Sequence, residues 1–440
     1  MFRRGVMRQD SAVAGAVRLL ILPLTALALV PVMLTELHVF SLHDLVGSAI
    51  PDTIFLEHAA EGLVRGHLPY GADFLTKPDR QLVFVYPPLS LLLAIPPLLA
   101  GSFYSFGFAV ELLVFLGLGL WLLHRACQHV GLPFPVALAA GLLLVAMGPV
   151  VVTRLDGLQG LALAGAALAL RSRRMALAVA LVTLAVLVKE TVVVALLPVV
   201  VWAIWPRGAQ TWRQGLGRRL GAVALGLTPA LLVVAAFAVW SRGNVFAAAS
   251  TSLHRGVEIE SLPATISYLL SPIFKLTSYS GSLGSQQVSG SQVGLVAAVV
   301  AVIGVVALVW GSVHFAREGR RPATTVAFAL AVGLATTPVL SPQYLLALVP
   351  VLALAAGSES GRARSWLLLA ACLAMALLTQ AEFPYLFGSV AKLDPVGTTI
   401  VALRNLLLIV ITLSLARAPA APSAEVAGGE MHQPVVSGLA

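Results

Sequence analysis

Along most of this chain long apolar runs alternate with short polar turns. Runs of this kind predict helices near 18–36, 104–123, 133–151, 157–170, 175–188, 191–205, 220–240, 293–312, 323–339, 343–357, 365–379 and 396–416. They read as an all-α polytopic membrane domain of about 12 helices over 18–416, because only self-satisfied helices or closed barrels cross lipid. Five of them have cores of only 14–15 residues, so each has to borrow from its flanks. The apolar run 87–99, interrupted by Pro96-Pro97, is short for a crossing and reads as re-entrant.

The pattern changes in the first outer loop, 37–86. Phe55, Leu56, Ala59, Ala60, Leu63 and Val64 recur at helical spacing, while Thr53, Glu57, Glu61 and Arg65 take the other side. Such a helix lies in the membrane interface rather than crossing it. Gly66 should end it, and Pro69-Tyr70 should turn the chain back. A second outer loop, 241–292, holds HRGVEIES at 254–261 and a Gly/Ser-rich stretch at 280–291 that reads as flexible linker.

Charge then fixes the orientation. The short turns on one side hold Arg125, Arg171, Arg173, Arg174, Arg207, Arg213, Arg218, Arg219, Arg317, Arg320, Arg321, Arg362, Arg364 and Arg417. The positive-inside rule puts all of these in the cytoplasm when 87–99 does not cross, and outside when it does. Both termini are therefore expected inside: 1–17 as a cytoplasmic segment, and 417–440, rich in Ala, Pro, Ser and Gly, as a disordered tail. The first apolar run ends in Thr-Glu-Leu-His rather than a small-residue cleavage site, which reads as a retained helix.

Composition agrees: 59% of residues are apolar, 11% are charged and the mean hydropathy is +0.94, which excludes a soluble globular chain. The net charge of +9 is a topology signal, since the basic residues sit in turns and form no nucleic-acid patch. Cys127 and Cys372 have no metal-ligand or disulfide spacing. The nine histidines form no zinc motif, and no Walker, GxGxxG or DxD sequence is present.

Polar residues inside such a chain are the candidates for chemistry. Asp52 follows Pro51 and is a favoured helix cap. Lys189 interrupts an apolar stretch, where a lysine costs roughly 2.5–3.5 kcal/mol at a helix centre. With Glu190 it is either a polar hairpin tip or a functional charge. Arg154-Leu155-Asp156 is open to the same two readings. Glu111 and Arg404 lie ~11 Å deep in their helices and are expected to pair, with a substrate role as the alternative.

Counting from Asp52, Ala59-Ala60 fall seven and eight residues on, Gly66 fourteen, and Pro69-Tyr70 seventeen and eighteen, with Phe84-Val85-Tyr86-Pro87-Pro88 beyond. That spacing resembles the first outer loop of the GT-C membrane glycosyltransferases, closest to family 87, the polyprenyl-phosphate-mannose-dependent enzymes. Leu56 stands where relatives often carry tyrosine. Arg255 to Ser261 resembles an Arg-Gly-x-x-Ile-Glu-Ser motif of actinobacterial members, and Ser341 to Tyr344 their Ser-Pro-Gln-Tyr turn. Relatives also carry a lysine in the setting of Lys189. Gly157-Leu158-Gln159-Gly160 departs from the Gly-Gln-x-Asn that some show. The likeness covers about 45–350.

The resemblance implies a GT-C-like bundle at the plasma membrane with its active site on the outer face. It implies Asp52 as base, with Lys189, Arg255 and Arg154 at the donor phosphate. Tyr70, Tyr86, Asp156, Glu260, Gln343 and Tyr344 would line the substrate. A polyprenyl-phosphate sugar, mannose by the resemblance, would pass to a lipid or glycan hydroxyl with inversion. No cofactor is implied, and no metal, since Asp52 has no second carboxylate ligand beside it. The rival readings are a transporter or lipid-linked-glycan flippase, and a non-enzymatic assembly partner.

Overall fold

The computed structural model describes residues 52–70, 75–77, 80–82, 84–132, 135–206, 213, 215–246, 255–273, 275–280, 285–359 and 361–419. The helix expected at 18–36, the segment 1–17, the loop before Asp52 and the tail from 420 lie outside the described residues. The described chain is mostly helical. Its principal helices are α1 (Asp52–Val64), α2 (Pro88–Leu93), α3 (Tyr104–His129), α4 (Val136–Ala146), α5 (Asp156–Arg171), α6 (Met175–Val188) and α7 (Leu196–Ile204). They continue as α8 (Leu216–Trp240), α9 (Leu262–Leu269), α10 (Val293–Arg317), α11 (Pro322–Thr336), α12 (Leu345–Ser358), α13 (Arg362–Gln380) and α14 (Pro395–Ala416).

Among the described residues five helices are long and apolar enough to cross a membrane: Pro96–His129, Leu216–Trp240, Val293–Arg317, Arg362–Tyr385 and Pro395–Ala416. Shorter apolar helices accompany them at Val136–Ala146, Met175–Val188, Glu190–Ile204, Pro322–Thr336 and Pro342–Ser358. The stretch 87–99 is split between α2 and a 3-10 segment, Pro96–Phe103, that runs on into α3. At 1.5 Å per residue α2 is only ~9 Å long.

All 14 residues of α12 are buried, as expected of a helix that is apolar all round. It packs against α4, α5, α11 and α13. Gly160 lets α5 come close, because a Cβ there would lie 2.7 Å from the Ala347 carbonyl oxygen. The nearby Leu346 carbonyl lacks its helical partner because Pro350 has no N–H. The outward faces of α8 and α10 instead expose Leu231, Leu232, Val302, Ile303, Val305 and Val306. Large apolar side chains exposed in such runs suit lipid rather than water.

The arginine turns gather at one end of the bundle. Arg320 donates from Nη1 to the Ala416 carbonyl at 2.8 Å, and Arg364 donates to the Ser414 and Arg417 carbonyls. These guanidinium groups satisfy the orphan carbonyls at the end of α14 and meet its negative dipole end. Arg171, Arg321 and Ser358 line one small cavity at the same end. Helix α5 runs from there to Asp156, ~22 Å away along its axis.

At this opposite end α1 packs on α2 and α3. Leu56, Ala59, Ala60 and Leu63 are buried as the spacing predicts. Two positions differ: Thr53 is buried and Val64 is 65% exposed. Gly66 ends the helix as its position predicts, with φ +86°. His67 N–H then donates to the Gly62 carbonyl and Gly66 N–H to Leu63, a Schellman closure.

Two short hairpins qualify the all-α expectation: β1 (Leu75–Lys77) with β2 (Arg80–Leu82), and β3 (Thr277–Ser280) with β4 (Gln286–Ser289). The second corrects the linker reading of 280–291. Gln287 and Val288 are both buried, so the strand is covered on both faces, and ladder bonds to Val257 and Ile259 hold it.

Candidate functional site

The polar end of the bundle is built from four segments. Helix α6 stops at Val188, and Lys189 is extended, with φ −163° and ψ 135°. The chain then reverses through a 3-10 turn, Glu190–Ala195, into α7, whose Trp202 donates to the Arg320 carbonyl at the arginine end. The Ala185 carbonyl takes the Lys189 N–H at 3.2 Å, and the Lys189 carbonyl lies past the helix end. The buried Gln159 amide ties the two together, donating to Ala185 at 2.8 Å and Lys189 at 2.6 Å. Gln159 lies one turn along α5 from Asp156, so both side chains share a face. Lys189 Nζ accordingly donates to Asp156 Oδ2 at 3.1 Å, with side-chain exposures of 8% and 1%.

Two aromatic rings cover this ammonium. Tyr344 lies with its ring centre 4.5 Å from Nζ and Tyr86 at 5.7 Å. Tyr344 closes the Pro342–Tyr344 turn that starts α12, where Pro342 opens the turn without losing a needed donor. Tyr86 is fixed from behind, since the Tyr70 hydroxyl donates to its carbonyl at 3.0 Å. Tyr70 itself meets Phe84 and Phe237 edge-on.

The third segment is the arm 255–261. Arg255 pairs with Glu258 at 2.9 Å and shares a side-chain hydrogen bond with Tyr344. Ser341 Oγ donates to the other Glu258 oxygen at 3.2 Å, and the Glu258 N–H donates to Pro338 at 2.9 Å. Burial pushes the Glu258 carboxyl above its ordinary value, against the opposing pull of Arg255, Ser341 and Lys189. Burial works against the Arg255 charge, but Glu258 and Tyr344 outweigh it and hold the guanidinium charged. Ser261 caps α9, accepting from the Ala264 N–H at 3.3 Å.

The fourth segment is α1. Leu56, Ala59 and Ala60 belong to the same apolar cluster as Leu155 and Val188, the residues that precede Asp156 and Lys189. This cluster sets α1 beside the ion pair. Asp52 is the first residue of α1, and its side chain lies outside the described part of the structure.

The fold thus brings Lys189, Asp156, Tyr344, Tyr86 and Arg255 together. Arg154 is half-buried two residues before Asp156, and Gln343 is half-buried in the Pro342–Tyr344 turn. Glu260 turns away from Arg255, into a separate buried group with Arg404 and Glu382. Burial and the neighbouring Glu382 and Glu258 carboxylates push its pKa well above the ordinary value, with Arg404 opposing.

That group overturns the expected Glu111–Arg404 pair. Arg404 Nη1 instead meets Glu382 at 2.5 Å, with both side chains fully buried. Equal depth said nothing of direction around each axis: α3 packs on α4 and α5, whereas α14 packs on α11 and α13. Sequence reasoning also passed over Gln159 and Ser341 as working residues. A glutamine within an Ala/Leu/Gly helix was the available signal for the first. Comparison with protein-family models, curated proteins and solved structures finds no match for this chain.

Proposed function

We propose that this protein is an integral membrane glycosyltransferase of the GT-C kind, transferring a sugar from a polyprenyl-phosphate donor to a lipid or glycan hydroxyl. Twelve crossings, with the arginine turns in the cytoplasm, put Lys189, Arg255 and Tyr344 on the outer face of the plasma membrane. The observation that carries the reading is the convergence of two cations, Lys189 and Arg255, at one aromatic-walled spot beside α1. Such a pair suits the charge that grows on a departing lipid phosphate. The family resemblance adds Asp52 and the identity of the sugar, mannose.

In this reaction the acceptor oxygen attacks C1 of the sugar while Asp52 takes its proton. The C1–O bond to phosphate breaks, and its electron pair leaves on the phosphate facing Lys189 and Arg255. Displacement in one step inverts C1, so a β-linked donor yields an α-linked product. Tyr86 and Tyr344 supply ring faces and hydroxyls for the sugar, and Asp156 and Glu258 hold the cations in place before the donor arrives.

The transporter reading is less favoured. Transporters place broken helices at the membrane midplane, whereas the break at Lys189 falls at a chain reversal at the end of the bundle. Purified protein in lipid nanodiscs, given labelled polyprenyl-phosphate mannose and a membrane lipid extract, should form a new labelled glycoside. Movement of the donor across vesicles with no new glycosidic bond would overturn the transferase in favour of the flippase.

A further inference from the structure

An arginine inside an apolar helix needs partners, because an unpaired buried charge is costly. Arg404 spends its donors in three directions. Nη1 goes to the Glu382 carboxylate, Nη2 to the Glu260 carbonyl, and Nε and Nη2 to Asn405 Oδ1 at 3.3 and 3.0 Å. Asn405 then donates from Nδ2 to the same Glu260 carbonyl at 3.1 Å and to Thr265 Oγ1 at 2.8 Å. One backbone oxygen of the arm therefore receives donors from two successive residues of α14. A neutral apolar pair would fill the space without specifying that oxygen.

Glu260 is two residues from Glu258, at most ~7 Å of chain. Glu258 orients Arg255, and Arg255 meets Tyr344. We propose that Arg404 and Asn405 are positioning residues for Arg255, clamping its arm to α14 through the Glu260 carbonyl; the functional meaning rests on the donor-site reading above. Arg404 and Asn405 touch no substrate. They fix where the arm leaves the bundle, and the ladder to β4 fixes its other edge.

The test uses the full chain in nanodiscs with Asn405→Leu, which removes the amide donors at similar volume and leaves the Arg404–Glu382 pair in place. Trypsin cleavage after Arg255 reads the clamp without any ligand, and cleavage after the exposed Arg242 is the internal reference. Cleavage at Arg255 should rise about tenfold while that at Arg242 stays constant, since only the arm opens. Arg404→Lys, which keeps the charge but not the forked geometry, should do the same.

Farnesyl phosphate serves as a soluble donor mimic. Asn405→Leu should weaken its binding about tenfold, and Asn405→Leu with Arg255→Gln should bind no worse than Arg255→Gln alone. Unchanged cleavage at Arg255 in both clamp variants, or additive losses in the double variant, would overturn the clamp. Failure of the wild-type protein to bind the mimic would count against the donor site, and the tryptic result would still decide the clamp.

Discussion

Replacing Lys189 by methionine does two separable things. It removes the ammonium offered to a donor phosphate, and it breaks the ion pair with Asp156, whose side chain is only 1% exposed. Removing one member of a buried ion pair costs roughly 3–5 kcal/mol. Water reaches neither partner appreciably, so solvent screening does not reduce this. The stacking of Nζ over Tyr344 at 4.5 Å adds about 0.5–2 kcal/mol. At 1.4 kcal/mol per tenfold, the folding equilibrium constant of Lys189→Met should fall by a factor of about a hundred or more. Adding Asp156→Asn makes the site neutral again and should recover most of that loss, because a buried pair is worth little net against neutral side chains.

Donor use should behave differently. Both the single and the double variant lack the cation, so both should handle polyprenyl-phosphate sugar poorly, with the loss appearing in donor affinity. Chemical unfolding in nanodiscs reads stability, and labelled-donor titration reads recognition. A double variant as unstable as Lys189→Met would refute the ion-pair accounting. A double variant that regains donor use would refute Lys189 as the phosphate ligand.

Other consequences follow the same physics. Arg404→Met or Glu382→Met should each destabilise by about 3–5 kcal/mol, the double change by much less, and Glu111→Gln should leave Arg404 undisturbed, all checked by unfolding midpoints. Gly160→Val should separate α5 from α12, since even its Cβ would lie 2.7 Å from a carbonyl oxygen, and should lower the thermal midpoint by several degrees or more. Glu260 is raised well above its ordinary 4.5, so it contributes stability that is fully present below pH 4.5 and lost as pH rises through its folded value. Glu260→Gln stays neutral and should flatten the fall in thermal midpoint above pH 4.5. Single cysteines at the exposed His67 and Arg242 should react with an impermeant thiol reagent in intact cells, and a cysteine at the exposed Arg173 should not; labelling at 173 would reverse the orientation.

The helices were legible because apolar runs and arginine turns repeat without interruption, and each expected segment from 104 onward coincides with a helical stretch. Lys189, Asp156 and Arg255 were legible as charges in a chain that has few. Their partners were not. Arg404 finds Glu382 through the turn between α13 and α14, and depth along a helix carries no information about that direction. Gln159 reads as an unremarkable polar residue until the broken end of α6 brings the Ala185 and Lys189 carbonyls to its amide. Gln286–Ser289 has linker composition, yet pairs because Val257 and Ile259 offer it a strand edge. Val64 fits the apolar stripe of α1, yet as its last residue it stays exposed.

The central claim is tested most directly by Asp52→Asn. Asparagine keeps the shape and the hydrogen-bonding oxygen of aspartate at the start of α1, so the helix should form and the protein should keep its stability and its hold on the donor. The amide cannot take the acceptor proton. Transfer of labelled mannose from polyprenyl phosphate should therefore fall on the order of 10²-fold or more while donor binding is unchanged. Transfer at the wild-type rate by a well-folded Asp52→Asn protein would contradict the account.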